Sequence, residues 1–164
     1  MKKAFASDFD NTLYFKEGFH SSDLNEIKSC QKEGILFGVC TGRSLNGVLQ
    51  PTKERISFDF YILSTGSLLL DKHFQIIESH PIDSKAVLKI HNRYSKNYHL
   101  AYNSGYDFYS LYNDYEVVKQ VNDISEINTP IYGISFFAGN NESAKRISEE
   151  INSSSEVSCF HNGP

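Results

Sequence analysis

The chain has 164 residues, of which 40% are hydrophobic and 13% aromatic, so it can bury the core of one substantial domain. Its formal net charge of -4 argues against the basic stripe that a nucleic-acid-binding surface needs, and we expect no nucleic-acid partner. Its three cysteines are an odd number without C-x-x-C spacing, and no apolar run reaches membrane-spanning length. We therefore expect a cytoplasmic protein with no disulfide framework, zinc knuckle or membrane partner.

The first predicted element is a short strand that ends in two carboxylates. Residues 3–7 form the strand-like run, Asp8 and Asp10 follow, and Asn11 and Thr12 favour a turn. Side chains at i and i+2 of an extended chain leave the same face, with Cα atoms roughly 6 to 7 Å apart, so the pair is costly without a cation. Ligands bind at such strand ends in open α/β sheets. The alternative is an Asx-rich turn whose carboxylates bond only to their own backbone.

A second polar motif follows the apolar run 35–40, which is typical of a buried parallel strand. Thr41 offers a hydroxyl, Gly42 lets the main chain approach an anion closely, and Arg43 offers a planar charged fork. Together these three residues suit a phosphate group. In the alternative interpretation this is a strand end at which Ser44 caps the next helix, and the two interpretations are compatible.

The remaining pattern predicts two domains. Helices flank the strand 35–40 and a third strand covers 60–63, an order that implies a parallel sheet. A hairpin of 68–70 and 74–77 follows, and we place the boundary near Pro81, giving domains 1–81 and 82–164. The second domain is predicted to contain further helices and strands, the strands being 98–102, 107–112, 131–138 and 157–160 and one helix 142–151.

Asp8, Asp10 and the residues between and after them, together with Thr41, Gly42 and Arg43, resemble the first two motifs of the haloacid dehalogenase superfamily of phosphohydrolases. The detail is similar to the Cof-type sugar-phosphate phosphatases. The resemblance implies an α/β fold, with a Rossmann-like parallel-sheet core in 1–81 and an inserted α/β cap domain in 82–164. Where that family usually carries Asn-Gly-Ala after the third strand, this chain has Ser64–Gly66 followed by Ser67.

The resemblance also implies a reaction. Asp8 would be the nucleophile that forms an aspartyl-phosphate, and Asp10 the general acid and base. Mg²⁺ would bind the Asp8 side chain and the Asp10 main-chain carbonyl, while Thr41, Gly42 and Arg43 would hold the phosphoryl oxygens. The expected substrate is a small phosphorylated metabolite.

Two further family motifs, a lysine and a Gly-Asp-rich segment that completes the magnesium site, are not visible in the 164 residues. The resemblance therefore implies a chain truncated before those motifs, with an incomplete cap and little activity on its own. The alternative function is a catalytically incomplete fragment or pseudoenzyme that acts as a ligand-binding or protein-binding module. In the family's strand order, the strand carrying Asp8 lies inside the sheet, so we expect its unpaired edge here to favour self-association.

Overall fold

The computed structural model describes residues 3–53, 55–112, 118–153 and 157–160. It divides into two compact units. Unit 1 contains Met1–Pro81 together with Gly105–Asp107, and unit 2 contains Ile82–Ser104 and Phe108–Pro164. In the described part of the chain, no helix combines the length and apolar character needed to cross a bilayer.

Unit 1 is built on a five-stranded sheet of order β1-β4-β5-β6-β7 and a short hairpin, β2 with β3, which the sequence did not predict. Its elements are β1 Ala4–Asp8, β2 Tyr14–Phe15, β3 Gly18–Phe19, α1 Ser21–Lys32, β4 Leu36–Cys40, α2 Leu45–Thr52, β5 Phe60–Leu63, a 3₁₀ turn Ser64–Gly66, β6 Leu68–Asp71 and β7 Ile76–Ser79. β1, β4 and β5 are mutually parallel, whereas β6 and β7 pair antiparallel. The parallel part is therefore formed by the three strands that the apolar runs predict.

The two faces of this sheet differ in burial. Both crossovers between the parallel strands run in one direction, and right-handed connections place α1 and α2 on a single face. Phe37 and Val39 of β4 are buried on one face, with Leu63 of β5. Leu36 and Cys40 alternate to the other face, where both are exposed. The fully buried apolar side chains of β4 and β5 thus lie on one face of the sheet.

β1 is an edge strand of the described sheet and pairs with β4. Ala4, Phe5 and Ala6 of β1 are exposed, and Phe5 retains 57% of its accessible surface while it stacks on Phe37 at 5.3 Å between ring centroids. The strand that carries the first motif therefore has a free, largely apolar side.

Unit 2 packs two helices with a four-stranded sheet of order β10-β9-β8-β11. Its elements are α3 Ser84–Tyr94, β8 His99–Asn103, β9 Phe108–Ser110, β10 Val118–Gln120, a 3₁₀ turn Ile124–Glu126, β11 Gly133–Phe137 and α4 Asn141–Asn152. The core is formed by Val87, Ile90, Tyr94, Leu100, Tyr102, Ile131, Ile147 and Ile151. β10, which pairs parallel with β9, was not predicted. The strand predicted at 157–160 is wrong, since these residues form no strand.

Candidate active site

The two sequence motifs end neighbouring parallel strands. β1 and β4 are parallel and pair in a register that sets Asp8 opposite Cys40. Asp8 and Thr41, the residue after Cys40, therefore both lie at the carboxyl-terminal edge of the sheet. The carboxyl end of a parallel sheet is where open α/β folds bind ligands. The fold therefore places the first carboxylate beside the second motif.

The turn after β1 has a fixed main-chain conformation. The amides of Leu13 and Tyr14 both donate to the Phe9 carbonyl, at 3.0 and 2.8 Å, and the Asn11 amide donates to the Tyr14 carbonyl at 2.9 Å. Asn11 has a φ of 58°, a left-handed conformation that asparagine tolerates better than most residues. Phe9 is fully buried and anchors the turn. The position of Asp10 is consequently set by a buried neighbour.

The carboxylates of this turn bond to side chains and not to their own backbone. The Thr12 hydroxyl donates to Oδ2 of Asp8 at 2.9 Å. Both oxygens of Asp10 accept hydrogen bonds from Arg43, Oδ2 from Nε at 3.0 Å and Oδ1 from Nη2 at 2.6 Å. Among the described residues, the alternative of an Asx turn closed by these carboxylates is therefore not observed.

Arg43 is held on several sides. Besides Asp10, its Nη1 donates to the Gly47 carbonyl at 2.8 Å. Its guanidinium carbon lies 5.2 Å from the Phe9 ring centroid and 5.5 Å from that of Tyr14, distances at which cation–π attraction operates. The guanidinium that was predicted to hold phosphate therefore donates its hydrogen bonds to Asp10 and to the Gly47 carbonyl in the first turn of α2.

Thr41 is nearly buried, with 6% of its surface exposed, and both of its main-chain polar groups are bonded. Its amide donates to the Ile62 carbonyl at 2.9 Å, and its carbonyl accepts from the Thr65 amide at 3.1 Å. Its hydroxyl accepts from the Arg43 amide at 3.2 Å and still carries a hydrogen to donate. Thr41 therefore offers a fixed hydroxyl donor directly after Cys40, the residue that pairs with Asp8.

Gly42 and Ser44 complete the second motif. A β-carbon at Gly42 would lie 3.5 Å from the Thr65 hydroxyl, which is an ordinary contact, so packing alone does not require glycine at this position. The Ser44 hydroxyl accepts from the Gly47 amide at 3.4 Å and caps α2. The capping interpretation of Ser44 is therefore correct.

A strained turn lies beside these motifs. Ser64 and Thr65 both have positive φ, 52° and 58°, which is unusual for residues other than glycine. The Ser64 hydroxyl is buried and has no hydrogen-bond partner among the described residues. Strained backbone with an unsatisfied polar group clusters at functional sites, yet no pattern in the sequence signals it.

The oxygen donors present here match Mg²⁺ in chemical kind. Within the described ranges no three His, Cys, Asp or Glu side chains come together as a metal-binding group. Asp8 carries a carboxylate, and Asp10 carries a main-chain carbonyl. The carboxylate of Asp10 is already paired with Arg43. Mg²⁺ is commonly bound through one or two carboxylates together with waters and substrate phosphate. Oxygen atoms of the kind that Mg²⁺ binds are therefore present at the end of β1.

Residues 5–162 match the model of the haloacid dehalogenase-like hydrolases. The chain belongs to this family. The match spans both motifs and extends through unit 2, which confirms the resemblance inferred from Asp8, Asp10 and Thr41.

Solved structures share the fold. A haloacid dehalogenase-like hydrolase from B. subtilis superposes with a TM-score of 0.78 at 18% identity, covering 93% of this chain and 67% of that protein. One from Bacteroides thetaiotaomicron gives 0.84 at 15% identity, covering 100% and 69%. A sugar phosphatase of haloacid dehalogenase subclass IIB gives 0.69 at 19% identity, covering 92% and 64%.

At these identities the likeness shows the fold alone, and the predicted α/β class with a parallel-sheet core is confirmed. The chain spans 64% to 69% of the length of these three proteins. None of the curated proteins compared with the sequence is significantly similar to it.

Proposed function

We propose that this protein is a Mg²⁺-dependent phosphohydrolase that removes phosphate from small phosphorylated metabolites, such as sugar phosphates, through an aspartyl-phosphate. The observation that supports the proposal is the register of two adjacent parallel strands, in which Asp8 at the end of β1 pairs with Cys40, the residue before Thr41. A carboxylate nucleophile and a hydroxyl donor at neighbouring strand ends are the groups that phosphoryl transfer to a carboxylate would use.

In the first step an oxygen of Asp8 attacks phosphorus, and the bond from phosphorus to the substrate alcohol breaks. Asp10 gives its proton to the departing oxygen. The Thr41 hydroxyl donates to a phosphoryl oxygen, and Gly42 leaves room for the group to approach the main chain. The Asp8 carboxylate and the Asp10 main-chain carbonyl would hold Mg²⁺, which would supply positive charge against the charges of Asp8 and the phosphate.

In the second step Asp10, now a carboxylate, takes a proton from water while the water oxygen attacks phosphorus. The bond between phosphorus and Asp8 breaks, so orthophosphate leaves and the Asp8 carboxylate is restored. Each residue returns to its starting state, and the net reaction is hydrolysis of a phosphate monoester.

The substrate class rests on the family and on the fold. The chain belongs to a family of hydrolases, and a structure of the same fold is a sugar phosphatase of subclass IIB. The domain 82–164, which corresponds nearly to unit 2, would act as the cap that selects the substrate, because in a shared fold specificity comes from the parts around the reacting groups.

The test uses the polypeptide encoded by the complete reading frame that contains these 164 residues. It is assayed for phosphate release from sugar phosphates, nucleotides, pyridoxal phosphate and flavin mononucleotide, with Mg²⁺ and with a chelator. We expect Mg²⁺-dependent release and, after acid quench, one phosphoryl group on the peptide that contains Asp8. Absence of release from every substrate, with orthophosphate still bound, would favour the ligand-binding module instead.

A further inference from the structure

The side chain of Arg43 has a partner that differs from the one its motif predicts. Resting on the proposed function, we propose that Arg43 is a positioning residue that holds Asp10 as the base for the second step, and not a ligand of the substrate phosphate. The observation is that both oxygens of Asp10 are bonded by the guanidinium of Arg43, at 3.0 and 2.6 Å.

The pair joins two separate loops. Asp10 lies in the turn after β1, and Arg43 lies between β4 and α2, 33 positions further along the chain. The side chains are 47% and 33% exposed, so single-point surface attraction between them would be weak. Two parallel hydrogen bonds fix the plane of the carboxylate as well as its distance, which a single contact does not do.

Arg43 is itself anchored by groups that do not react. Nη1 is bonded to the Gly47 carbonyl, and the guanidinium lies near the rings of Phe9 and Tyr14. Phe9 is fully buried, and its ring stacks with that of Tyr14 at 5.6 Å between centroids. The contacts of Arg43 with Phe9, Tyr14 and Gly47 therefore hold its guanidinium in place, and the guanidinium in turn holds the half-exposed carboxylate of Asp10.

The same contacts argue against a phosphate ligand. Three of the nitrogens of Arg43 already donate to Asp10 and Gly47, and turning the fork toward a phosphate would break the paired geometry. Arg43 thus fixes the orientation of the Asp10 carboxyl group. With an aryl phosphate, whose leaving group departs without a proton, only the proton transfer from water in the second step depends on this orientation.

A positioning role for Arg43 predicts that its removal affects kcat and kcat/KM to different extents. With p-nitrophenyl phosphate the leaving group needs no proton, so kcat/KM reports the steps up to formation of the aspartyl-phosphate, and kcat reports its hydrolysis when that step limits turnover. Arg43→Ala should lower kcat by about ten- to hundredfold, the usual penalty for a misplaced catalytic group, with kcat/KM changed about twofold or less. The variant should release a burst of p-nitrophenol equal to the active sites before slow turnover.

Two further measurements separate positioning from folding. Arg43→Lys should not restore kcat, because an ammonium cannot bond both carboxylate oxygens in the plane of a fork. Free guanidinium should restore part of the kcat of Arg43→Ala, whereas ammonium should not. The matched control is Arg93→Ala, which removes the arginine of the Arg93–Glu150 ion pair in unit 2 and should leave this split unchanged.

The opposite pattern would overturn the assignment. If Arg43 binds phosphate, Arg43→Ala will lower kcat/KM, raise the inhibition constant of orthophosphate and give no burst.

A measurement on the 164-residue chain does not depend on turnover. In ¹⁵N NMR spectra, Asp10→Asn should shift the Arg43 Nε–H signal, whereas orthophosphate should leave it in place. A shift with orthophosphate that equals the shift in Asp10→Asn would refute the assignment. If no phosphoenzyme forms in any assay, the proposed function fails, and this spectrum alone decides the partner of Arg43.

Discussion

The Thr12 hydroxyl donates to Oδ2 of Asp8 at 2.9 Å, so one oxygen of the proposed nucleophile is held by its own turn. Among the described residues, no hydrogen bond to Oδ1 of Asp8 accompanies it, and Oδ1 is the oxygen that we expect to attack phosphorus. We predict that Asp8→Asn abolishes hydrolysis of phosphate monoesters, by roughly a thousandfold or more, because an amide has neither the charge nor the nucleophilicity to form the acyl-phosphate.

The measurement is turnover of p-nitrophenyl phosphate by the polypeptide of the complete reading frame. Asp23→Asn in the first turn of α1 is the matched control, since it removes a half-buried carboxylate outside the site. Wild-type turnover in Asp8→Asn would remove Asp8 from the mechanism.

Asp10 is predicted to matter most when the leaving group is a poor one. Asp10→Asn should slow hydrolysis of alkyl phosphates by about a hundredfold or more, because an alkoxide needs a proton to depart. Activated aryl phosphates should lose less. The readout is the ratio of kcat/KM between a sugar phosphate and p-nitrophenyl phosphate, measured for both proteins. Equal losses on both substrates would mean that Asp10 serves folding or metal placement.

The parallel strands could be predicted because each is a continuous apolar run that ends in polar residues. β5 occupies Phe60–Leu63 as predicted, and β4 begins within one residue of its expected start. The Arg43–Asp10 pair could not be predicted, because it joins residues 33 positions apart that only the finished sheet brings together. The residue types alone fit an Arg43 side chain that binds Asp10 and one that binds phosphate equally well.

The residues with positive φ could not be predicted from the sequence either. Ser64 and Thr65 prefer other regions of backbone space, so their left-handed values reflect the tertiary bonds of the turn, such as the Thr65 amide to the Thr41 carbonyl. The short strand β10 has three residues and lacks a long periodic pattern. Elements of this size are set by their partners more than by their own sequence.

A pH-dependent contribution to stability is predicted at the β6–β7 turn. Oδ1 of Asp71 accepts from the main-chain amides of Gln75 at 2.9 Å and His73 at 2.8 Å. The Gln75 bond foremost, and then the His73 bond, hold the pKa of Asp71 below its ordinary value of 3.8. A lowered folded-state pKa gives stability that is present above pH 3.8 and is lost as the pH falls through the folded value.

Asp71→Ala should therefore lower the free energy of unfolding at neutral pH, and the difference from wild type should shrink as the pH falls below 3.8. Urea unfolding at several pH values measures this difference, and an NMR titration of the carboxyl carbon gives the pKa directly. A difference that is constant from neutral to acid pH would contradict the assignment.

The exposed side of β1 is predicted to drive self-association of the 164-residue chain. An unpaired strand edge with exposed apolar side chains is a template for another strand. Sedimentation velocity should show association that grows with concentration, and Ala6→Lys should suppress it by placing a charge on the exposed strand. Leu88→Lys, at an exposed apolar position of α3, is the matched control and should not suppress it. A monomer at every concentration would contradict this prediction.

Magnesium binding by the 164-residue chain is predicted to be weak, with negligible turnover. The described residues bring together no metal-binding group of three, and the Asp10 carboxylate is already paired with Arg43. Asp8 and a main-chain carbonyl leave most of an octahedral shell to water, and Mg²⁺ gains little from so few protein oxygens. Calorimetric titration with Mg²⁺ and a parallel assay of phosphate release measure both quantities, and Asp8→Asn should remove the weak binding that remains. Tight stoichiometric binding with robust turnover from a verified 164-residue monomer would show that residues assigned to the cap complete the site.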